Sequence, residues 1–325
     1  ASLDSNYGLA VSQISFMPLG ADTNTAVYHA VTENDIAYFV KLRNGNFDET
    51  AATLPKFLSD QGIPNVIPPL ITKSGQLWAC LDTFKILLYP FVEGRDGFNI
   101  DLSDQHWFEL GKALNRIHTA NVPRSITSQI QTETYPPRWR EIVKACLRRI
   151  ETEMFSDLVA AELVLFLKRN RDEIHYLVGR AEHLAAVLQN DLLPFTVCHS
   201  DIHAGNILID SKDGLFIVDW DNPIIAPKER DLMFIGGAQG FTGHTLEEEE
   251  TLFYRGYGQI HVDRTALAYY RYERIVQDLA AYCEQLLSTN EGGEDREQSL
   301  QYLKSNFLPG NTIETAYKSD KTLRE

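Results

Sequence analysis

The chain has 325 residues, 44% of them hydrophobic and 23% charged, an ordinary globular composition with length for roughly two domains. Its 30 basic and 45 acidic residues give a formal charge of −15, which argues against a nucleic-acid partner and suits a cationic small molecule. Four scattered cysteines (Cys80, Cys146, Cys198, Cys283) without C-x-x-C spacing indicate neither a zinc site nor a disulfide framework, and no apolar run approaches the ~18 residues of a membrane span.

The first ninety residues read mainly as strands. Val11 to Met17, Thr25 to Val31 and Ala37 to Leu42 carry β-branched and aromatic residues between the turn signals Leu19-Gly-Ala-Asp-Thr-Asn24 and Glu33-Asn-Asp35, which predicts a three-stranded meander. Asp48 to Gln61 reads as a helix. Gln76 to Leu81 and Phe84 to Phe91 form a second hairpin, and Val92-Glu-Gly-Arg-Asp-Gly97 is the expected linker between lobes.

From Ser103 the pattern turns helical. Ser103 is a cap for a helix whose apolar positions Trp107, Leu110, Leu114 and Ile117 follow i, i+3, i+4 spacing, and Pro136-Pro137 precedes an amphipathic stretch through Ile150. Further helices are expected over 157–190, 246–257, 264–288 and 295–306. The run Glu247-Glu248-Glu249-Glu250 reads as the solvated start of one of them. The fold class is therefore α+β with two lobes: a small β-rich lobe over residues 1–92 and a larger helical lobe over 93–325. The expected setting is the cytoplasm, with no membrane partner, as a monomer or weak dimer.

Inside the helical half lies Cys198-His-Ser-Asp-Ile-His-Ala-Gly-Asn-Ile-Leu-Ile209, followed by Phe216-Ile-Val-Asp-Trp-Asp221. His199, Asp201, Asn206 and Asp219 match H-x-D-x-x-x-x-N then D, the catalytic loop and metal-binding aspartate of phosphoryl-transfer enzymes. The apolar runs 207–209 and 216–218, separated by Asp210-Ser-Lys-Asp-Gly214, read as a hairpin that brings Asn206 and Asp219 to one end. Two oxygen ligands beside a loop carboxylate suit Mg²⁺. Asp201 is then the carboxylate that takes or orients the proton of the attacking hydroxyl. His199 supports the loop, His203 packs beside it, His118 braces a neighbouring loop, and Asp231 anchors loop backbone amides.

Lys41 sits on the third predicted strand, the place of a phosphate-binding lysine, and Glu49 is its expected partner on the following helix. The segment Leu19 to Thr25 lacks G-x-G-x-x-G, but Asp22, Thr23 and Asn24 offer backbone and side-chain donors to phosphate oxygens.

Together, His-Ser-Asp-Ile-His-Ala-Gly-Asn (199–206), Ile-Val-Asp-Trp-Asp-Asn-Pro (217–223), the strand lysine and Lys-Glu-Arg-Asp-Leu-Met-Phe-Ile-Gly-Gly (228–237) resemble the aminoglycoside phosphotransferase family. Gly20-Ala-Asp-Thr-Asn24, Pro137-Arg-Trp-Arg-Glu-Ile142, Gly256-Tyr-Gly258 and Tyr269-Tyr-Arg-Tyr-Glu-Arg-Ile-Val276 resemble most closely its spectinomycin phosphotransferase branch. The resemblance implies a protein-kinase-like fold, with ATP bound between the lobes against a hinge that includes Tyr89 and Phe91. It also implies Mg²⁺-dependent transfer of the γ-phosphate to an aminocyclitol hydroxyl, conferring antibiotic resistance. Spectinomycin carries two secondary amines, so Asp221, Glu273 and Asp278 are the expected substrate carboxylates, with Trp220 as a floor for the sugar ring. Two other readings stay open on the sequence: a related kinase for choline, homoserine, a thioribose sugar or a glycated amine, and a catalytically silent nucleotide-binding scaffold.

Overall fold

The computed structural model describes residues 2–19, 24–45, 47–288 and 293–321. After a short helix α1 (Ser2–Tyr7) come β1 (Val11–Met17), β2 (Thr25–Thr32), β3 (Ala37–Asn44), helix α2 (Thr50–Asp60), β4 (Ala79–Leu81) and β5 (Phe84–Pro90). These strands form one antiparallel sheet in the order β1-β2-β3-β5-β4. Alternation along β3 turns Val40 into a small core with Ala30, Ala79, Ile86 and Leu88, which Leu3 and Tyr7 of α1 help to cover. Phe39, Lys41 and Arg43 project from the opposite face.

Gly94–Asp96 forms β6, and the chain then enters the larger lobe through α3 (Asp104–His118), α4 (Arg124–Thr127), β7 (Gln131–Thr132), α5 (Arg138–Thr152), α6 (Leu158–Arg169) and α7 (Arg171–Leu188). β8 (Phe195–Cys198), β9 (Ile207–Asp210), β10 (Leu215–Ile217) and β11 (Ile224–Pro227) follow, then α8 (Glu229–Leu232), α9 (Leu246–Tyr257), α10 (Arg264–Ser288), α11 (Gly293–Ser305) and α12 (Thr312–Lys321). As the sequence predicts, the small lobe is built on a sheet and the large one on helices. No described helix is long and apolar enough to cross a membrane.

Local chemistry sets the boundaries. Ser103 Oγ accepts from the His106 amide and His106 Nδ1 accepts from the Ser103 amide, both at 3.2 Å, a reciprocal cap that starts α3. Thr245 and Glu248 start α9 in the same way. The single helix expected over 157–190 is two, broken at Asn170, and the strand expected from Gln76 is confined to Ala79–Leu81. α1 and α12 are unanticipated: both are short and gain their stability from packing, as for α12 against α10, where Ile313 and Ala316 are buried.

Within the linker expected over 92–97, residues 94–96 are strand. β6 pairs antiparallel with β9, and the Gly97 amide donates to both Ala204 O (2.9 Å) and Ile207 O (3.0 Å). Gly94 is required here because a Cβ would lie 2.4 Å from Ile209 O. Leu54, Leu58, Ile63 and Val66, from α2 and the segment after it, belong to the large core, so the helix of the small lobe is anchored on the large one.

Candidate active site

The loop after β8 is shaped from below by one carboxylate. Asp231 is fully buried in the short helix α8 and accepts from the His199 amide (Oδ2, 2.8 Å) and the Ser200 amide (Oδ1, 2.6 Å). His118 Nε2 donates to the same Oδ2 at 3.0 Å, and its Nδ1 lies 2.7 Å from the Tyr257 hydroxyl. Burial pushes the Asp231 carboxyl up, but His118 outweighs it and holds the group below the usual aspartate range. With its amides tied down, Ser200 takes the left-handed backbone conformation (φ 73°) and the chain turns sharply into Asp201. Cys198 lies beside His118 and Asp231 with ligand atoms within 4.8 Å, but the Asp231 oxygens are already engaged by amides and imidazole, so the group is a brace.

His199 completes the loop. Its Nε2 donates to Val218 O at 2.9 Å and its Nδ1 accepts from the Asp201 amide at 3.2 Å, which fixes the tautomer as Nε2–H. Asp201 Oδ1 receives Nη1 of Arg274 at 2.8 Å, while His203 Nε2 lies 3.5 Å from Oδ2. Because His203 Nδ1 accepts the Gly205 amide (3.0 Å), the proton of this imidazole is the one facing Asp201. Burial raises the affinity of Asp201 for a proton, but His203 and Arg274 overcome it and leave the carboxyl well below its ordinary value.

The β9–β10 hairpin forms as expected, with Ile207 opposite Ile217. That register puts Asn206 opposite Val218, whose amide donates to Asn206 O at 3.0 Å, and so beside Asp219. Asn206 Nδ2 donates to Asp201 O at 2.9 Å, so its amide oxygen is the group that could serve as a ligand, and Asp219 is half-exposed in a left-handed conformation (φ 65°). One amide oxygen and one carboxylate are hard oxygen donors of the kind Mg²⁺ takes alongside phosphates.

Across the cleft, Lys41 Nζ lies 2.8 Å from Asp219 Oδ1 and 2.7 Å from Asp221 Oδ1, and Arg43 also binds Asp221. Burial depresses the lysine, but Asp219 and Asp221 more than offset this and its affinity for the proton rises. Glu49 is not its partner among the described residues; it is exposed at the N-terminal end of α2, and the two aspartates hold the ammonium instead. Tyr89, two residues beyond Leu87, which faces Lys41 in register, shares the lysine's face of the sheet and meets the Phe39 ring edge-on at 6.3 Å. Phe91 meets His29 edge-on at 4.4 Å. The Asn24 carbonyl accepts the Asn44 amide (2.9 Å), extending the β2–β3 pairing, and Asp22 and Thr23 lie outside the described residues.

A model of the phosphotransferase enzyme family matches residues 15–270. The chain belongs to that family. It is similar to spectinomycin phosphotransferase solved with ADP and spectinomycin, at 42% identity over 98% of this chain and 96% of the other, with a TM-score of 0.91. The AMP complex of spectinomycin phosphotransferase gives 40% identity, 97% and 96% coverage and a TM-score of 0.87. An amicoumacin kinase, at 15% identity over 95% of this chain and 92% of the other with a TM-score of 0.62, shares the fold. The protein is thus a phosphotransferase with the two-lobed kinase-like fold that the motifs imply.

On the acceptor side of this phosphotransferase, the carboxylates expected to meet a cationic substrate are already paired with arginine or lysine. Asp221 is held by Lys41 and Arg43, Glu273 lies 3.3 Å from Arg140 Nε, and Asp278 lies 3.2 Å from Arg274 Nε. Burial pushes Glu273 up to about 7 and raises Asp278 as well. Trp220 does not floor an open pocket: it is 5% exposed, its Nε1 donates to Ile217 O at 3.0 Å, and its ring packs edge-on to His199 at 4.6 Å. Sequence reasoning missed Arg43, Arg140 and Arg274. Arg43 was accessible as the i+2 neighbour of Lys41 on one strand face, and Arg274 as the i−4 neighbour of Asp278 on one helix.

Proposed function

We propose that the protein transfers the γ-phosphoryl group of ATP to a hydroxyl of an aminocyclitol antibiotic, spectinomycin, in the cytoplasm and with Mg²⁺. The observation that carries this reading is the 42% identity, over 98% of the chain, to a spectinomycin phosphotransferase solved with ADP and spectinomycin. The site supports it, since Lys41 of the small lobe contacts Asp219 of the large one and Asn206 bonds to Asp201.

In this reading Lys41 binds the phosphates of the nucleotide and Asn206 and Asp219 hold the metal through oxygen. A Mg²⁺ ion held there would supply positive charge to offset the negative charge that develops during transfer. Asp201 accepts a hydrogen bond from the acceptor hydroxyl and aims its oxygen at the γ-phosphorus. As the new P–O bond forms, the bond from phosphorus to the β–γ bridging oxygen breaks and ADP leaves. A carboxylate held so far on the ionised side is a poor proton store, so Asp201 acts chiefly by orienting the hydroxyl, and the proton passes on to solvent or phosphate. Tyr89 and Phe91 flank the base of the nucleotide.

The test is a panel assay of purified protein with Mg²⁺ and ATP against spectinomycin, other aminoglycosides, choline, homoserine, methylthioribose and a glycated amine. Spectinomycin-dependent ADP release with a phosphorylated product by mass spectrometry is expected. Turnover of a metabolite with none on spectinomycin would sink the antibiotic reading.

A further inference from the structure

Asp201 is held by a residue 73 positions away in the chain. Arg274 of α10 places Nη1 2.8 Å from Asp201 Oδ1, and its Nε lies 3.2 Å from Asp278, one turn further along the same helix. Asp278 bonds to the side chain of Asn306 just beyond α11, and Asn306 Oδ1 accepts from Thr312 Oγ1 at 3.0 Å at the start of α12. The guanidinium also lies over the fully buried Phe234 ring, 5.7 Å from its centroid. Arg274 is thus fixed by a second carboxylate, an aromatic face and the helix that carries it, and its free end reaches the carboxylate at the head of the catalytic loop.

The two oxygens of Asp201 are therefore unequal. Oδ1 is taken by a short, charge-assisted hydrogen bond. Among the described residues, Oδ2 has contacts of 3.5 Å, to His203 Nε2 and Asn206 Nδ2, too long to occupy its lone pairs firmly. A hydroxyl arriving at Asp201 finds one oxygen open.

We infer that Arg274 is a positioning residue for phosphoryl transfer: it clamps Oδ1 of Asp201 so that Oδ2 alone meets the acceptor hydroxyl. This rests on the reading of Asp201 given above. The guanidinium touches neither nucleotide nor acceptor in this scheme and acts through the carboxylate. Misplacing an orienting group by about 1 Å costs on the order of 10²-fold in rate, which sets the expected size of the effect.

The test compares Arg274→Ala, Arg274→Lys, Asp201→Asn and the double variant Arg274→Ala/Asp201→Asn, using the acceptor that the panel identifies. Arg274→Ala is expected to lower kcat by about 10²-fold with KM for ATP unchanged, Arg274→Lys to retain part of the rate, and millimolar guanidinium to restore part of it in Arg274→Ala. In the Asp201→Asn background, removal of Arg274 is expected to cost less than about twofold more, because one residue acts through the other. An inactive Asp201→Asn beside a fully active Arg274→Ala overturns the inference and leaves the reading of Asp201 intact. Losses that multiply in the double variant, or a lowered Tm with no rescue by guanidinium, make Arg274 a structural tie and likewise overturn it. A fully active Asp201→Asn overturns the reading of Asp201 itself. If Arg274→Ala does not fold, Arg274→Lys and its double variant with Asp201→Asn carry the same comparison.

Discussion

The Lys41 ammonium lies 2.8 Å from Asp219 Oδ1, joining residues 178 positions apart and the two lobes that carry them. Asp221 shares the same lysine at 2.7 Å, so two carboxylates of the large lobe face the cation. Phosphate oxygens must compete with these groups for it. Lys41→Met is expected to lower kcat/KM by about 10²–10³-fold, the usual cost of removing one fixed charge-stabilising donor, mainly through KM for ATP. Steady-state kinetics at varied ATP checks this; an unchanged KM for ATP would show that Lys41 does not bind the nucleotide. Arg43 still holds Asp221 in the variant, so the fold should survive.

Asp231 is the second point at which one carboxylate carries much of the site. Both its oxygens accept backbone amides, from His199 and Ser200, and an asparagine would necessarily turn its NH₂ against one of them. Asp231→Asn is expected to cost about 1–3 kcal/mol or more by urea unfolding, the range for leaving buried hydrogen-bonding groups unsatisfied, and to reduce kcat through the distorted loop. Its folded pKa is depressed, so its stabilisation is present above the ordinary aspartate pKa of about 4 and is lost as pH falls through the lower folded value. The variant should therefore lose less stability than the parent below about pH 4. A variant within about 0.5 kcal/mol of the parent at neutral pH would contradict this account.

The catalytic hairpin was legible because its signals are local: turn residues at 210–214 fix the strand register, and the register carries Asn206 to Asp219. The same holds for Lys41, whose face follows from alternation along one strand. What could not be read are contacts between distant helices and loops, such as Arg274 with Asp201, or Arg140 with Glu273. These depend on how α5 and α10 cross the core, which no local pattern encodes. The pairing inside the linker was hidden for a related reason: Gly94 and Gly97 carry no pattern of their own, yet in the fold they permit close backbone pairing with β9 and the catalytic loop.

The run of four glutamates illustrates the same limit and gives a pH prediction. Helical periodicity divides it: Glu248 caps α9, Glu250 pairs with Arg271, and Glu249 turns inward to 1% exposure, where it accepts the Gly236 amide at 3.2 Å. Burial raises Glu249 to about 7 from 4.5. A carboxyl whose folded pKa is raised binds protons more tightly folded than unfolded, so stability falls as pH rises from about 4.5 to beyond 7, by at most about 3 kcal/mol. Glu249→Gln keeps the oxygen that accepts Gly236 and removes the charge. It is expected to match the parent near pH 5 and to exceed it in Tm at pH 8; equal Tm values at both would rule out a buried, ionising Glu249.

Two helices meet at their backbones where α3 crosses α9. A Cβ on Gly256 would lie 1.8 Å from Phe108 O, and one on Gly111 would lie 2.1 Å from Phe253 O, so neither side has a flexible group that can yield. Gly256→Ala is expected to destabilise by about 3 kcal/mol or more, at the upper end for overpacked cores. It also displaces the adjoining Tyr257, whose hydroxyl reaches His118 and through it Asp231, so kcat should fall with stability. Gly179, exposed within α7 with nothing inside 4 Å of where a methyl group would stand, is the matched control. There, alanine recovers the helical propensity that glycine lacks, and Gly179→Ala is expected to gain about 1 kcal/mol without changing kcat. Thermal melts and rate measurements on the two variants check the pair: a tolerated Gly256→Ala would mean that α3 and α9 do not pack backbone to backbone, and that the brace behind the catalytic loop does not depend on their contact.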